Sequence, residues 1–315
     1  MLLYVAGGLV GVIALGAAAL QFAVRTNGPA VLNTLDRAVG GTQGAEVVAR
    51  ASTGDHPEQK VIVWGRTDEE ARGEALPVAV FVHGGSWRDG DPDDYGFVGR
   101  AMVPQGFVTV LGGYRLGKAG IYPAMLEDAA AVIAWTRDNI ARYGGDPDRI
   151  VLIGHSAGAY NTVTSVLDPR WLDRAGVSMD AIKGVIGLAG PYDFAPFDSE
   201  STIAAFGHVD PPEPTQPIAY FDDAAQRNLP QMLLVHGEQD DTVKIRNSRA
   251  LAAKLETAGS SPITLYYPDM DHSDPLIAFA APVRARSHAF EFISGFARAV
   301  TNGSDASVPV QAELR

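Results

Sequence analysis

Short β-branched runs alternate along this chain with longer stretches in which apolar residues recur every three or four positions. The runs cover residues 61–64, 78–82, 107–111, 150–153, 182–188, 232–235 and 263–267, and each predicts a buried strand. Between them lie helical patterns at 95–103, 124–143, 157–167, 246–257 and 288–299. In the longest, Met125, Ala129, Val132, Ile133, Thr136 and Ile140 repeat at helical spacing and form a stripe that covers one face of a sheet. Strands alternating with helices in this way predict an α/β domain with a mostly parallel central sheet and helices on both faces. One stretch breaks the alternation: residues 191–217 hold six prolines and predict a short irregular cap over the sheet edge.

The two ends differ from this middle. Residues 2–24 contain no charged side chain, and as a helix would be ~34 Å long, enough to cross a hydrocarbon core of ~30 Å. Gly7, Gly8, Gly11 and Gly16 weaken such a helix in water but are tolerated in a membrane. A cleavable signal peptide is the competing reading, because Ala17-Ala18-Ala19 resembles a cleavage site; the missing basic n-region and the length favour a single-pass anchor. Arg25 and Arg37 then place the main domain weakly on the cytoplasmic side, with export after cleavage as the alternative. The expected organisation is an anchor at 1–26, a Gly/Ala/Thr-rich linker at 27–54 with one weak strand near Val47, a catalytic domain at 55–300, and a polar tail at 301–315.

Composition narrows the chemistry. The 315 residues are 46% hydrophobic and 20% charged, enough for a large core, and the net charge of −12 opposes nucleic-acid binding. The absence of cysteine removes disulfides, Cys-ligated metals and thiol nucleophiles. No metal or dinucleotide motif is present, so no cofactor is expected. Asp89-Gly90-Asp91-Pro92-Asp93 begins like a calcium loop, but Asp94 and Arg100 stand where Gly and Glu are needed. It reads as a turn, with Asp93 or Asp94 capping the next helix.

Gly154-His155-Ser156-Ala157-Gly158 lies between a strand and a helix. A serine on so tight a turn is held in strained backbone with its hydroxyl exposed, and the helix N-terminus points free N–H groups at the same spot. A hydroxyl needs a base, and among seven histidines His272, after the last strand, is the candidate; His155 is expected to point away, and His208 stays open. The orienting acid is sought after the preceding strand, where Asp240 is preferred over Asp241, with Glu238 third; the alternative is that these acids cap the helix starting near Lys244, one of the pair Asp240 and Asp241 doing each job. His83-Gly84-Gly85-Ser86-Trp87 supplies oxyanion donors from Gly84 and Gly85, completed by the N–H of Ala157. His83 is expected to tie that loop down. Trp87, Tyr160, Phe194 and Phe206 are candidate pocket-lining aromatics, with plain core the equal alternative.

Together with Tyr114-Arg115-Leu116 and Gly144-Gly145-Asp146-Pro147, these motifs resemble the His-Gly-Gly α/β-hydrolases over residues 61–299. That group includes bacterial feruloyl- and acetyl-esterase-like proteins, kynurenine formamidases and isoprenylcysteine methylesterases. The resemblance implies an α/β-hydrolase fold, cofactor-free hydrolysis of small-molecule esters, and roles for Ser156, Asp240, His272, Gly84, Gly85 and Ala157. It implies a structural role for Tyr114-Arg115-Leu116. The short cap speaks against interfacial lipase activity. An amidase or formamidase on the same triad, and a catalytically silent membrane-tethered module, are the alternatives.

Overall fold

The computed structural model describes residues 27–40, 42, 44–66, 75–221 and 228–303. Eight strands form one sheet: β1 (Ala45–Ser52), β2 (Lys60–Arg66), β3 (Leu76–Val82), β4 (Val108–Gly112), β5 (Gly145–His155), β6 (Ile182–Leu188), β7 (Gln231–Gly237) and β8 (Ile263–Tyr267). Their spatial order is β1-β2-β4-β3-β5-β6-β7-β8. The pairs β1–β2 and β2–β4 are antiparallel, and every pair from β4 to β8 is parallel. This is the predicted α/β-hydrolase sheet. All seven predicted runs and the weak strand at Val47 lie in it.

The apolar runs are continuous because both faces are covered. Along β3, Ala79 and Phe81 enter one core layer while Val78 and Val80 enter the other; along β5, Val151 and Ile153 alternate with Ile150 and Leu152. The first layer is closed by α2 (Gly96–Met102) and α10 (His288–Thr301), through Phe97, Met102, Ile293 and Phe296. The second is closed by α3 (Ala124–Asn139), α4 (Ala157–Leu167) and α7 (Arg246–Thr257), through Val132, Val163 and Leu251. Parallel strands in a two-sided layer send their outgoing loops to one edge, so the loops after β3, β5, β6, β7 and β8 share the carboxyl end of the sheet.

Of the expectations at the N-terminus, the linker needs correction. The anchor or signal read over residues 2–24 lies outside the described residues, and among the described residues no helix is long and apolar enough to cross a membrane. The stretch read as a linker carries helix α1, residues 27–40, and strand β1. α1 is docked through polar groups, which is why apolar periodicity missed it. Asp36 is 1% exposed and accepts from Arg100 Nε at 2.5 Å and from the Ala281 N–H at 2.6 Å; Arg100 Nη2 also reaches the Asn33 carbonyl. The Asp89–Asp93 segment is a turn as predicted, but the cap is Asp91, whose carboxylate accepts from the Asp93 N–H.

The Pro-rich cap holds a short helix, α6 (Glu200–Phe206), opened by Ser199, whose Oγ accepts from the Thr202 N–H. It packs on the loop after β3 and on α4, at the carboxyl edge of the sheet, with Phe206 against Trp87 and Tyr160. α10 takes in Thr301, and residues 304–315 of the expected tail lie outside the described residues.

Removing one member of a buried ion pair leaves a charge without its partner. Asp36→Asn is therefore expected to lower the unfolding free energy by about 3 kcal/mol, as measured by urea denaturation; a loss within error of zero contradicts this account of how α1 is held.

Candidate active site

Ser156 sits between the end of β5 and the start of α4 with φ 54° and ψ −120°. A non-glycine residue is held in this left-handed region only when its surroundings over-determine it. Here they do. The Ser156 N–H donates to the Leu188 carbonyl at 2.8 Å, and its own carbonyl accepts from Tyr160 at 3.1 Å as α4 begins. Strand and helix can approach this closely because two Cβ atoms are missing: one on Gly154 would stand 2.3 Å from the Gly158 oxygen, and one on Gly158 2.1 Å from the Val82 oxygen.

The loop after β8 brings His272 to this turn. The Ser156 hydroxyl donates to His272 Nε2 at 2.9 Å, and His272 Nδ1–H donates to Asp240 Oδ2 at 2.7 Å. Asp240, in the loop after β7, accepts on its other oxygen from the N–H groups of Thr242 and Val243, at 2.9 and 2.8 Å. Burial acts to raise the Asp240 carboxyl, but hydrogen bonds from His236, His272 and the Val243 amide outweigh it and hold the group well below the usual carboxylate range. It is an anion at neutral pH. Asp241 and Glu238 are turned outward, onto Lys244 and Arg249.

Gly84 lies against the serine: a Cβ there would be 3.0 Å from His155 Nδ1 and 3.1 Å from Ser156 Cβ. Gly85 adopts φ +116°, which lets its carbonyl accept from the Arg88 and Asp89 amides. Among the described hydrogen bonds none uses the N–H of Gly84, Gly85 or Ala157, so these three donors are left unengaged. His83, as expected, ties this loop down. Its Nδ1–H donates to the Gly84 carbonyl at 2.7 Å, and its ring is stacked between Tyr95 and Tyr114. The Tyr114 hydroxyl donates to the His83 carbonyl, while Arg115 grips Asp128, a bracing role for that motif.

Two histidines matter more than the sequence suggested. His155 does not point away: its Nε2–H donates to the backbone carbonyl of His272 at 2.9 Å, and the two rings lie 5.0 Å apart. His236, at the end of β7, reaches the same Asp240 oxygen as His272, at 3.1 Å. No sequence pattern separates such contacts from ordinary core histidines. His208 is accounted for by a bond to the Tyr122 carbonyl. Trp87, Tyr160, Phe194 and Phe206 are brought together, but as a buried cluster, with ring centroids 4.7 to 6.1 Å apart, rather than an open lining. Ala157 belongs to the same cluster, which therefore walls the serine on the α4 side.

With this geometry in place, comparison with known proteins is informative. The model of the BD-FAE family matches residues 67–255, more than half of the chain. The chain belongs to the BD-FAE family. That match takes in the BD-FAE serine turn and Asp240 but ends before His272, which β8 delivers from outside it. Among relatives, the chain is 32% identical to Esterase LipQ of Mycobacterium tuberculosis, over 78% of this chain and 62% of that protein. It is 27% identical to a probable isoprenylcysteine alpha-carbonyl methylesterase of Oryza sativa subsp. japonica, over 70% of this chain and 56% of the relative. The chain thus spans roughly three-fifths of the length of the curated relatives it matches. Among solved structures, esterase B from Lactobacillus rhamnosis superposes with a TM-score of 0.70 at 17% identity, covering 91% of this chain and 95% of that one. A carbohydrate esterase from gut microbiota superposes with a TM-score of 0.69 at 18% identity, over 82% of this chain and 96% of that one. At these identities the superpositions speak for the shared fold.

The buried imidazoles make stability depend on pH. Burial, partly offset by the bond to Gly84, pushes His83 down to about 4; burial and the nearby His272 push His155 down to about 3. In the unfolded chain both return to ~6.5. The unfolded state therefore binds more protons below ~6.5, and the stability these rings contribute, complete above that value, is lost as pH falls toward 4 and 3. From pH 6 to 4.5 the two together give a slope approaching two protons, on the order of 2–3 kcal/mol per pH unit. Urea denaturation across this range is expected to show it, with His155→Gln reducing the slope by about one proton; equal slopes in the two proteins contradict the assignment.

Proposed function

We propose that this protein is a serine hydrolase of carboxylic esters with short to medium acyl chains, acting through an acyl-enzyme. The observation that carries the reading is the continuous chain of hydrogen bonds from the Ser156 hydroxyl through His272 to an ionised Asp240, beside three unused backbone donors. The esterase names of its relatives support it.

The steps follow from the groups present. As the Ser156 oxygen attacks the ester carbonyl, its proton passes to His272 Nε2. The imidazolium so formed keeps its orientation because Nδ1–H is bonded to Asp240, whose charge stabilises it. Negative charge moves onto the former carbonyl oxygen, which the Gly84, Gly85 and Ala157 amides receive. These donors are fixed before the reaction, so little reorganisation is needed when charge develops. His272 then returns the proton to the departing alkoxide. Water, deprotonated by the same nitrogen, attacks the acyl-enzyme; collapse of the second tetrahedral species releases the acid and expels the Ser156 oxygen, which takes that proton back from His272.

The acyl-chain limit rests on packing. Ser156 is 6% exposed, and Trp87, Tyr160, Phe194 and Phe206 fill the space beside Ala157 with one another. In this reading a long acyl chain has to displace that wall, whereas a short one does not. Association with a membrane through residues 2–24 remains part of the proposal, carried by the uncharged length of that segment. Comparing extraction by detergent for the full chain and for a chain lacking residues 1–26 tests it: loss of detergent dependence on truncation is expected, and no difference refutes it.

Ser156→Ala is expected to reduce p-nitrophenyl acetate turnover by at least ~10⁴-fold with little change in Tm, and to abolish labelling by a fluorophosphonate. Turnover at the parental rate in that variant ends the proposal. Across p-nitrophenyl esters, kcat/KM is expected to peak at acetate to hexanoate; a maximum at dodecanoate or longer refutes the stated chain-length preference.

A further inference from the structure

The carboxyl end of β7 holds a second imidazole that the mechanism above does not use. His236 is fully buried, and its three polar contacts define its hydrogen positions. Nε2 lies 2.8 Å from the Val243 carbonyl, an acceptor, so the hydrogen is on Nε2 and is donated there; Asp240 Oδ2 stands 3.1 Å from the same nitrogen. Nδ1 lies 2.7 Å from Ser248 Oγ on α7 and accepts from it. Asp240 thus accepts two backbone N–H groups on Oδ1 and His272 on Oδ2, and His236 Nε2 stands 3.1 Å from that same Oδ2.

We propose that His236 is a positioning residue that sets the basicity of His272 by sharing the Asp240 oxygen to which His272 is bonded. This rests on the hydrolase reading of the site. The argument is electrostatic. A carboxylate oxygen that already accepts a hydrogen bond carries less charge for its second partner, and in a buried site each such bond counts for more than in water. His236 therefore draws charge away from the His272–Asp240 bond and lowers the stability of the imidazolium. The Ser248 hydroxyl strengthens the effect, because donation into Nδ1 polarises the ring and makes Nε2–H a better donor.

Other charges do not supply this function. From β5, His155 meets His272 only through the backbone carbonyl and its ring. In the loop of Asp240 itself, Glu238 pairs with Arg249 and Asp241 with Lys244, both outward. On the His272 loop, Asp271 accepts from the Ser273 N–H and Asp274 from the Asp271 N–H, at the surface. His236 is the side chain besides His272 that bonds the carboxylate among the described residues.

The sign of the effect is definite. Without His236 as donor the Asp240 oxygen is more basic, the His272 imidazolium is better stabilised, and the acid limb of kcat/KM moves to higher pH. For p-nitrophenyl acetate hydrolysis, His236→Leu is expected to raise the midpoint of that limb by roughly 0.5–1 pH unit. His236→Gln, which keeps an N–H at the end of its side chain, returns the midpoint to within ~0.2 unit of the parent. Ser248→Ala, a milder change on α7, moves it upward by less than His236→Leu. A purely architectural role for His236 lowers Tm without moving the midpoint, so an unchanged or lowered midpoint in folded His236→Leu overturns the proposal. Should that variant not fold, Ser248→Ala decides, and a parental midpoint there overturns it equally. The pH titration of the downfield His272 Nδ1–H proton resonance reports the same midpoint without turnover, so failure of this inference and failure of the hydrolase reading, which Ser156→Ala tests, are told apart.

Discussion

The close approach of β5 to α4 across Ser156 is the constraint on which the rest of the molecule depends. The chain reverses direction there within one residue, and neither Gly154 nor Gly158 has room for a methyl group. Once the turn is that tight, several consequences follow without further design. The serine hydroxyl stands at the end of the sheet, the first free amide of α4 is beside it, and the loop after β3 is pressed against it through Gly84. The strain at φ 54° is held by bonds to neighbouring strand and helix, so the backbone under the Ser156 hydroxyl is fixed from both sides.

Around this point the molecule is organised by charge as much as by packing. Asp240 is a buried anion in a region where the described positive side chains lie outward, and it is stabilised by dipoles: two amides and two imidazoles. An anion satisfied in this way stays ionised, directs the His272 ring and fixes its tautomer. His155 acts on the same ring from the other side, through the peptide carbonyl of His272. Three histidines on three different strand ends therefore share one electrostatic environment, although only one of them touches the serine.

Much of this architecture was legible in the sequence. The seven predicted runs are strands, and helices 157–167 and 246–257 have the predicted limits, because a strand covered on both faces must be apolar throughout and a covering helix must carry a stripe. Those are local demands on composition. The serine turn was legible for a similar reason: glycines at two fixed offsets are what the backbone needs there. Helix α1 was not, since it docks through Asp36, Asn33 and Arg100, and polar docking leaves no periodic apolar trace. The contacts of the cap were not legible for a related reason. A proline-rich segment declares where regular structure stops but not which surface it will settle on, and here that surface is the aromatic cluster around Trp87 and Tyr160.

The division between the two levels is physical. Hydrophobic periodicity, turn glycines and the chain order of serine, acid and histidine depend on near neighbours, and a single sequence carries them in full. Which of three carboxylates turns inward, that His155 reaches across to His272, and that His236 shares an oxygen with it depend on side chains distant along the chain meeting at distances of 3 Å or so. Such meetings are products of how the layers pack, and no local pattern of residues announces them.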